Sequence, residues 1–364
     1  MKPFKKIASV LGGVIIGLLI AEVVLRMSGY YRTYMEKRTG EFYDLRDYDH
    51  SNVYGRLTPN IDFYITAPEY NYFHHSNSMG FDDKEFNKRT DSSEIRILCL
   101  GDSFTEGDGA PTDSTYPKQL QDILRANLPG KKITVFNGGI RGSDPVFNTK
   151  CYLGLLKNTV DPDIIVQTIS SQDLTEDMIV RGGFERFKND STVQFNDRLF
   201  KWTKLYQYVF LSRLIFKVMG YNDLFINTAV LNQQKPVTIK ALKQIQDVYK
   251  NTLADGRFVI FMFEPGLPEI QNQKWGDYSQ SIIDSIIPGM GKLDYFDYGY
   301  WLIHCSNVKQ EDLPTLFWKK DGHHNSKGYH VMATSVANYL LPLIQSGKFH
   351  NLCLNNVEQG KKSF

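Results

Sequence analysis

The sequence predicts an α/β protein: a three-layer α/β/α sandwich with a central parallel sheet, plus an N-terminal transmembrane helix. Three observations carry this reading. Short, mostly apolar runs at 95–100, 133–137, 163–169 and 258–263 read as strands buried on both faces. Segments of helical spacing alternate with them at 115–128, 147–159 and 237–253, and 328–343 closes the series. Ahead of all of them, an uncharged run from Ile7 to Ala21 follows Lys2, Lys5 and Lys6.

Residues 1–27 read as a membrane anchor or signal segment. Glu22 interrupts the apolar run, and Val23-Val24-Leu25 follow before Arg26. A bilayer takes roughly 17–25 residues, and the run reaches that length once the turn around Glu22 is included. No Ala-x-Ala cleavage site follows, which favours an uncleaved anchor over a cleaved signal peptide. The lysines favour a cytoplasmic amino end, while Arg26, Arg32, Lys37 and Arg38 weaken the bias from the far side. Residues 28–90 are polar and aromatic and read as a linker and irregular lead-in. The main domain spans 91–346 and contains a helical insertion around 181–235. Its stretch Leu205-Tyr206-Gln207-Tyr208-Val209-Phe210-Leu211 is either extra packing or a lid or membrane-facing surface. Residues 347–364 form a C-terminal tail.

Composition narrows the function. A formal net charge of +2 argues against an extended nucleic-acid surface. Cys99, Cys151, Cys305 and Cys353 show no Cys-x-x-Cys spacing, so a zinc or redox motif has no support. Cys99 lies in an apolar run and reads as a buried thiol. His74-His75 near Asp62 lack a third ligand at useful spacing, and neither a metal nor a cofactor is expected. Gly107-Asp108-Gly109 reads as a turn rather than a phosphate loop.

The chemistry concentrates after the first strand. In Gly101-Asp102-Ser103 a serine follows a buried strand, so it sits at the strand's carboxyl end, where parallel sheets place their sites. Its own N–H can face an oxyanion. Serine needs a base, and a base needs an acid to orient it. The convincing partners lie in Asp321-Gly322-His323-His324-Asn325-Ser326-Lys327-Gly328, a loop just before the last helix. Asp321 can accept an imidazole Nδ1–H and leave Nε2 facing Ser103.

These blocks, in this order, resemble the SGNH/GDSL hydrolase superfamily. The resemblance covers about residues 70–345, loosely over 175–255, and implies a flavodoxin-like sandwich. Gly101-Asp102-Ser103 matches the first block, with Ser103 the nucleophile. Asn137-Gly138-Gly139 is similar to the second, making Gly139 an oxyanion donor. Asp321, His323, Asn325 and Gly328 match the last block in its Asp-x-His-x-Asn-x-x-Gly form, making His323 the base and Asp321 its acid. The alternative Asp-x-x-His spacing makes His324 the base. The third block departs: Gln172 stands where the family has asparagine, one methylene longer as an oxyanion donor. Asn77-Ser78-Met79-Gly80-Phe81-Asp82-Asp83 resembles a stretch of a membrane-anchored bacterial branch, with Asp82 in place of its arginine.

The resemblance and the anchor together imply a single-pass protein of a bacterial inner membrane with its catalytic domain in the periplasm. The expected activity is serine-dependent hydrolysis of an O-acyl, most simply O-acetyl, group on an envelope carbohydrate. The alternatives are an O-acyltransferase to a cell-envelope polysaccharide, working beside a membrane-bound acyltransferase, and a catalytically weak scaffold.

Overall fold

The four apolar runs pair, as expected, into one parallel sheet, and a fifth, shorter strand extends it. The protein is described here from a computed structural model covering residues 2–28, 56–174, 209–218 and 228–347. Strands β3 (Ile95–Leu100), β4 (Ile133–Asn137), β5 (Ile164–Ser170), β6 (Phe258–Glu264) and β7 (Asp294–Asp297) lie in the order β4-β3-β5-β6-β7. Leu98 faces Phe136 on one side and Ile165 on the other, so β3 is central. Alternate residues serve opposite layers. Ile97, Cys99, Val135, Val166 and Ile260 pack with helices α3 (Tyr116–Asn127), α10 (Tyr298–His304) and α11 (Ser326–Gln345). Leu98, Leu100, Phe136, Ile165 and Phe261 pack with α4 (Pro145–Cys151), α7 (Thr228–Ala254) and α9 (Asp277–Ile286). Burial of the Cys99 thiol pushes its pKa up to about 12, so it stays protonated.

Two elements differ from the sequence reading. The lead-in contains an antiparallel hairpin of β1 (Asp62–Ala67) and β2 (Tyr70–His75). Its buried Phe63, Ile65 and Tyr70 pack with Leu57, and Trp318 joins them from the far end of the chain. The 147–159 helix is broken: α4 passes through a wider turn at Tyr152–Leu156 into α5 (Lys157–Val160). Within the insertion, α6 (Phe210–Val218) is helical, and α7 begins at Thr228. The rest of it, and the tail beyond Gly347, lie outside the described residues.

The lead-in is riveted to the core by buried polar groups. His74 Nδ1 is 2.5 Å from Asp82 Oδ2, and Thr112 Oγ1 donates to Asp82 Oδ1 at 2.7 Å. Asp82, at the arginine position of the resembling branch, thus has both carboxyl oxygens engaged, by His74 and by Thr112. Asp83 pairs with buried Lys118 and accepts the Asn137 N–H at 2.8 Å. Burial raises the Asp83 pKa, and Lys118 and Asn137 offset that only in part. Lys118 Nζ also donates to Val135 O at 2.9 Å. Removing one member strands the other without its partner. Asp83→Ala is therefore expected to cost about 3–5 kcal/mol in urea unfolding at pH 7, more than Lys118→Met, Asp83→Ala double replacement costs. Equal costs would show that the pair is not coupled.

Candidate active site

Ser103 opens α2 (Ser103–Glu106), the short helix that starts where β3 ends. Asp102 caps it by accepting the Phe104 N–H at 2.9 Å, and Gly107 ends it in the left-handed region at φ 107°. In the first turn the Ser103 N–H has no intrahelical acceptor and stays available. Gly101 permits this tight exit: a Cβ there would stand 2.2 Å from Thr105 Oγ1.

The structure brings Ser103 together with the late loop. Ser103 Oγ lies 2.7 Å from His323 Nε2, and His323 Nδ1 makes a short hydrogen bond to Asp321 Oδ1. Donation from Nδ1 leaves Nε2 as the acceptor facing serine. Each motif residue around this contact has a local task. Asn325 caps α11, accepting the Lys327 and Gly328 N–H groups at 3.1 Å each. Gly328 is glycine because a Cβ there would lie 2.2 Å from Leu316 O and 2.4 Å from His324 Nδ1. The left-handed Gly322 (φ 86°) closes the turn whose N–H reaches Trp318 O at 2.8 Å.

Two supports of Asp321 escaped the sequence reading because they come from the hairpin. Tyr70 Oη donates to Asp321 Oδ2 at 3.1 Å. Glu69 accepts the N–H groups of Lys320 and Asp321 at 2.8 and 3.0 Å. No local pattern links residues 69–70 to 320–321; only the folded hairpin does. Asp108 was also read as a plain turn residue. Its carboxylate is buried beside Arg141, and its Oδ2 lies 3.8 Å from His323 Nε2.

Of the expected oxyanion donors, Gly139 is otherwise engaged. The Gly139 N–H is spent within the fold, donating to Asn137 Oδ1 at 3.0 Å. Its missing side chain serves packing instead, since a Cβ would stand 2.2 Å from Glu106 N. Gly142, three residues on, adopts φ 68°, and its N–H makes no hydrogen bond among the described residues. Gln172 lies in the helical turn after β5, next to β3. That turn is fixed by Ser170, whose N–H donates to Asp173 Oδ2 at 2.8 Å and whose hydroxyl donates to Asp102 Oδ2 at 3.0 Å.

His324, the alternative base, points away from Ser103. It is fully buried, with Nδ1 3.2 Å from Leu316 O and Nε2 3.4 Å from Glu264 Oε1. Its ring sits 4.1 Å from that of Phe317. Burial lowers its pKa to about 3 and raises that of Glu264 well above the usual range, so this pair is held neutral. Burial likewise raises Asp102. His74 and His75 bond to Asp82 and Asp62 respectively, and among the described residues no His, Cys, Asp or Glu cluster is placed to hold a metal.

Further along the carboxyl edge, a cavity of about 370 Å³ opens beyond β6 and β7. Trp275, Tyr300, Glu269 and Asp297 line it. Ser171, next to Gln172, bonds to Glu269 and accepts the Gly266 N–H at 3.3 Å, so this cavity adjoins the helical turn that carries Gln172.

The neutral state of His324 has a measurable consequence. Unfolded, His324 protonates near its ordinary value of 6.5; folded, only near 3. Its contribution to stability is complete above pH 6.5 and is lost as pH falls from there toward 3. The slope of unfolding free energy against pH between 6 and 4 is expected to decrease by close to one proton in His324→Gln. An unchanged slope would contradict a buried neutral imidazole.

Comparison with known proteins agrees with this architecture. Residues 97–336 match the GDSL-like lipase/acylhydrolase family. Similar solved structures include BT4096, a gut microbial diltiazem-metabolizing enzyme, at 15% identity and TM-score 0.41, covering 70% of this chain and 48% of that one. Another is a two-domain esterase, CEX, active on acetylated mannans, at 13% identity and TM-score 0.39, covering 70% and 51%. A third is the lipase/acylhydrolase from Enterococcus faecalis, at 13% and TM-score 0.40, covering 68% and 95%. This chain spans about half the length of the first two. No curated protein matches it. By the extent of the family match, the chain belongs to the GDSL-like lipase/acylhydrolase family.

Proposed function

We propose that the protein is a membrane-anchored serine esterase that removes O-acyl groups, most simply O-acetyl, from an envelope carbohydrate on the periplasmic side of a bacterial inner membrane. The observation that carries the catalytic part is the 2.7 Å contact between Ser103 Oγ and His323 Nε2, with Asp321 behind the imidazole. It speaks against the scaffold reading, which needs serine and histidine apart. The carbohydrate part draws support from the adjoining cavity, where Trp275 and Tyr300 offer ring faces and Glu269 and Asp297 offer polar groups for hydroxyls. The membrane part draws support from one helix long and apolar enough to cross a bilayer.

In this mechanism Ser103 Oγ attacks the ester carbonyl carbon as its proton passes to His323 Nε2. Asp321 stabilises the resulting imidazolium. The Ser103 and Gly142 N–H groups and the Gln172 amide hold the oxyanion. Collapse breaks the acyl–oxygen bond, and the sugar oxygen leaves with the proton from His323. Water then attacks the acyl-serine, giving one proton to His323, which passes it to Ser103 Oγ as the acyl–serine bond breaks and the carboxylic acid leaves. The buried neutral pair of Glu264 and His324 adds no competing charge beneath the site.

Fluorophosphonate labelling of the full chain in detergent tests the nucleophile. Wild type is expected to label and Ser103→Ala to remain unlabelled, with p-nitrophenyl acetate turnover reduced about 10⁴–10⁶-fold in Ser103→Ala and His323→Ala. Labelling retained in Ser103→Ala would overturn the assignment. Truncating the amide in Gln172→Ala is expected to lower kcat about 10²–10³-fold, with Gln172→Asn recovering part of it. A change confined to KM would remove Gln172 from the oxyanion hole. Acetate release from an O-acetylated oligosaccharide, measured with and without an unacetylated acceptor, separates hydrolysis from transfer.

A further inference from the structure

The catalytic site makes no use of the carboxylate that interrupts the apolar N-terminal helix. Helix α1 (Lys2–Ser28) contains a 20-residue apolar span, Ser9–Ser28. At 1.5 Å per residue such a span is about 30 Å long, the thickness of a bilayer's hydrocarbon core. Its side chains, from Val10 and Leu11 to Val23 and Val24, are exposed. Glu22 stands about 9 Å along the axis before the span's end at Ser28. A carboxylate at that depth needs partners from within the protein.

Helix α6 supplies them. Glu22 Oε1 accepts the Phe210 N–H at 3.0 Å, and Oε2 accepts the Leu211 N–H at 2.7 Å. Arg26 Nε donates to Glu22 Oε1 at 2.7 Å, and its guanidinium lies 5.0 Å from the Phe210 ring centre. The two N–H groups belong to the first turn of α6, where no backbone acceptor serves them. The anionic group also meets the positive end of the helix. Carboxylate and helix terminus thus satisfy each other in a place where water would not. Ala21, Glu22 and Leu25 are half-buried at this contact, while Val23, Val24 and Met27 remain exposed. On α6, Phe210 and Ser212 are buried, but Ile215 and Val218, one turn apart, are exposed.

We propose that α6 lies in the bilayer surface beside α1, with Ile215 and Val218 in lipid and Glu22 clasping its amino end. This rests on α1 being a membrane span. The occupant is lipid because the exposed α6 face continues the apolar surface of α1, to which Glu22 binds it directly. In the chain, α6 belongs to the insertion that follows β5, so the clasp brings part of the main domain to the membrane. Esters carried at the membrane surface are then the substrates within reach.

A fluorophore on Val218→Cys, in full-length protein in phosphatidylcholine vesicles, tests the proposal. Cys305→Ser and Cys353→Ser remove competing labels, and Val14→Cys serves as the α1 reference. Both positions are expected to be quenched several-fold more by doxyl-labelled lipid than by aqueous iodide. Glu22→Ala is expected to shift position 218 to iodide quenching, leaving position 14 and fluorophosphonate labelling unchanged. Position 218 in water with position 14 in lipid overturns the proposal and spares the anchor. Both in water overturns the anchor as well. Position 218 still in lipid after Glu22→Ala overturns the clasp.

Discussion

A hydrogen bond of 2.7 Å between Ser103 and His323 joins residues 220 positions apart, and the surrounding structure is organised to hold its two ends in register. Such a bond tolerates only about 0.5 Å of drift before function suffers. One end is fixed by the strand–helix junction of β3 and α2, where Gly101 makes room for the Thr105 and Thr168 side chains and Gly139 lets its backbone approach that of Thr105 and Glu106. The other end is fixed by the Asn325 cap on α11 and by the packing of α11 against α3 in the same layer. His324 contributes as an immobile neighbour. Sunk beneath the loop among Phe317, Phe104, Tyr298 and Tyr329, it anchors the backbone next to His323.

The adjacent histidines show how environment separates two identical side chains. His323 is partly accessible, oriented by a carboxylate and aimed at a hydroxyl. His324 is buried against a carboxyl group that burial also keeps neutral. Glu264 and His324 therefore form a floor in which net charge is suppressed. In low dielectric, a charge formed above such a floor interacts strongly with the few charges left, chiefly Asp321 and the Asp108–Arg141 pair.

What was legible in the sequence follows from how local each signal is. Ser103, Asp321 and His323 could be read because the strand end and the helix cap that place them are written in adjacent residues. The four long strands were legible for the same reason, being apolar on both faces. β7 was missed: its Asp-Tyr-Phe-Asp is short and acidic at both ends, as an edge strand with one covered neighbour can be. The hairpin was missed because its polar–aromatic alternation buries only one face. Gly139 was assigned a donor role because Asn137-Gly138-Gly139 resembles the family's second block, and sequence does not reveal which N–H is already engaged. The Asn137 side chain decides that, capturing Gly139 and leaving Gly142.

The hairpin alters what counts as the catalytic unit. Its position in the chain, between the apolar helix and the sheet, suggests a spacer. Its contacts show otherwise, since Glu69 and Tyr70 hold the backbone and carboxylate of the loop that carries Asp321. A carboxylate that orients an imidazole does so only as well as it is itself oriented. Of the two Asp321 oxygens, one faces His323 and the other is claimed by Tyr70, which leaves the carboxylate no freedom to rotate away. His74, Asp82, Asp83 and Lys118 in turn pin the hairpin and the segment after it to α3 and β4. The path from sheet to hairpin to acid is closed on itself. A fragment beginning at the first sheet strand would keep Ser103, His323 and Asp321 and lose the hairpin contacts that hold Asp321 in place.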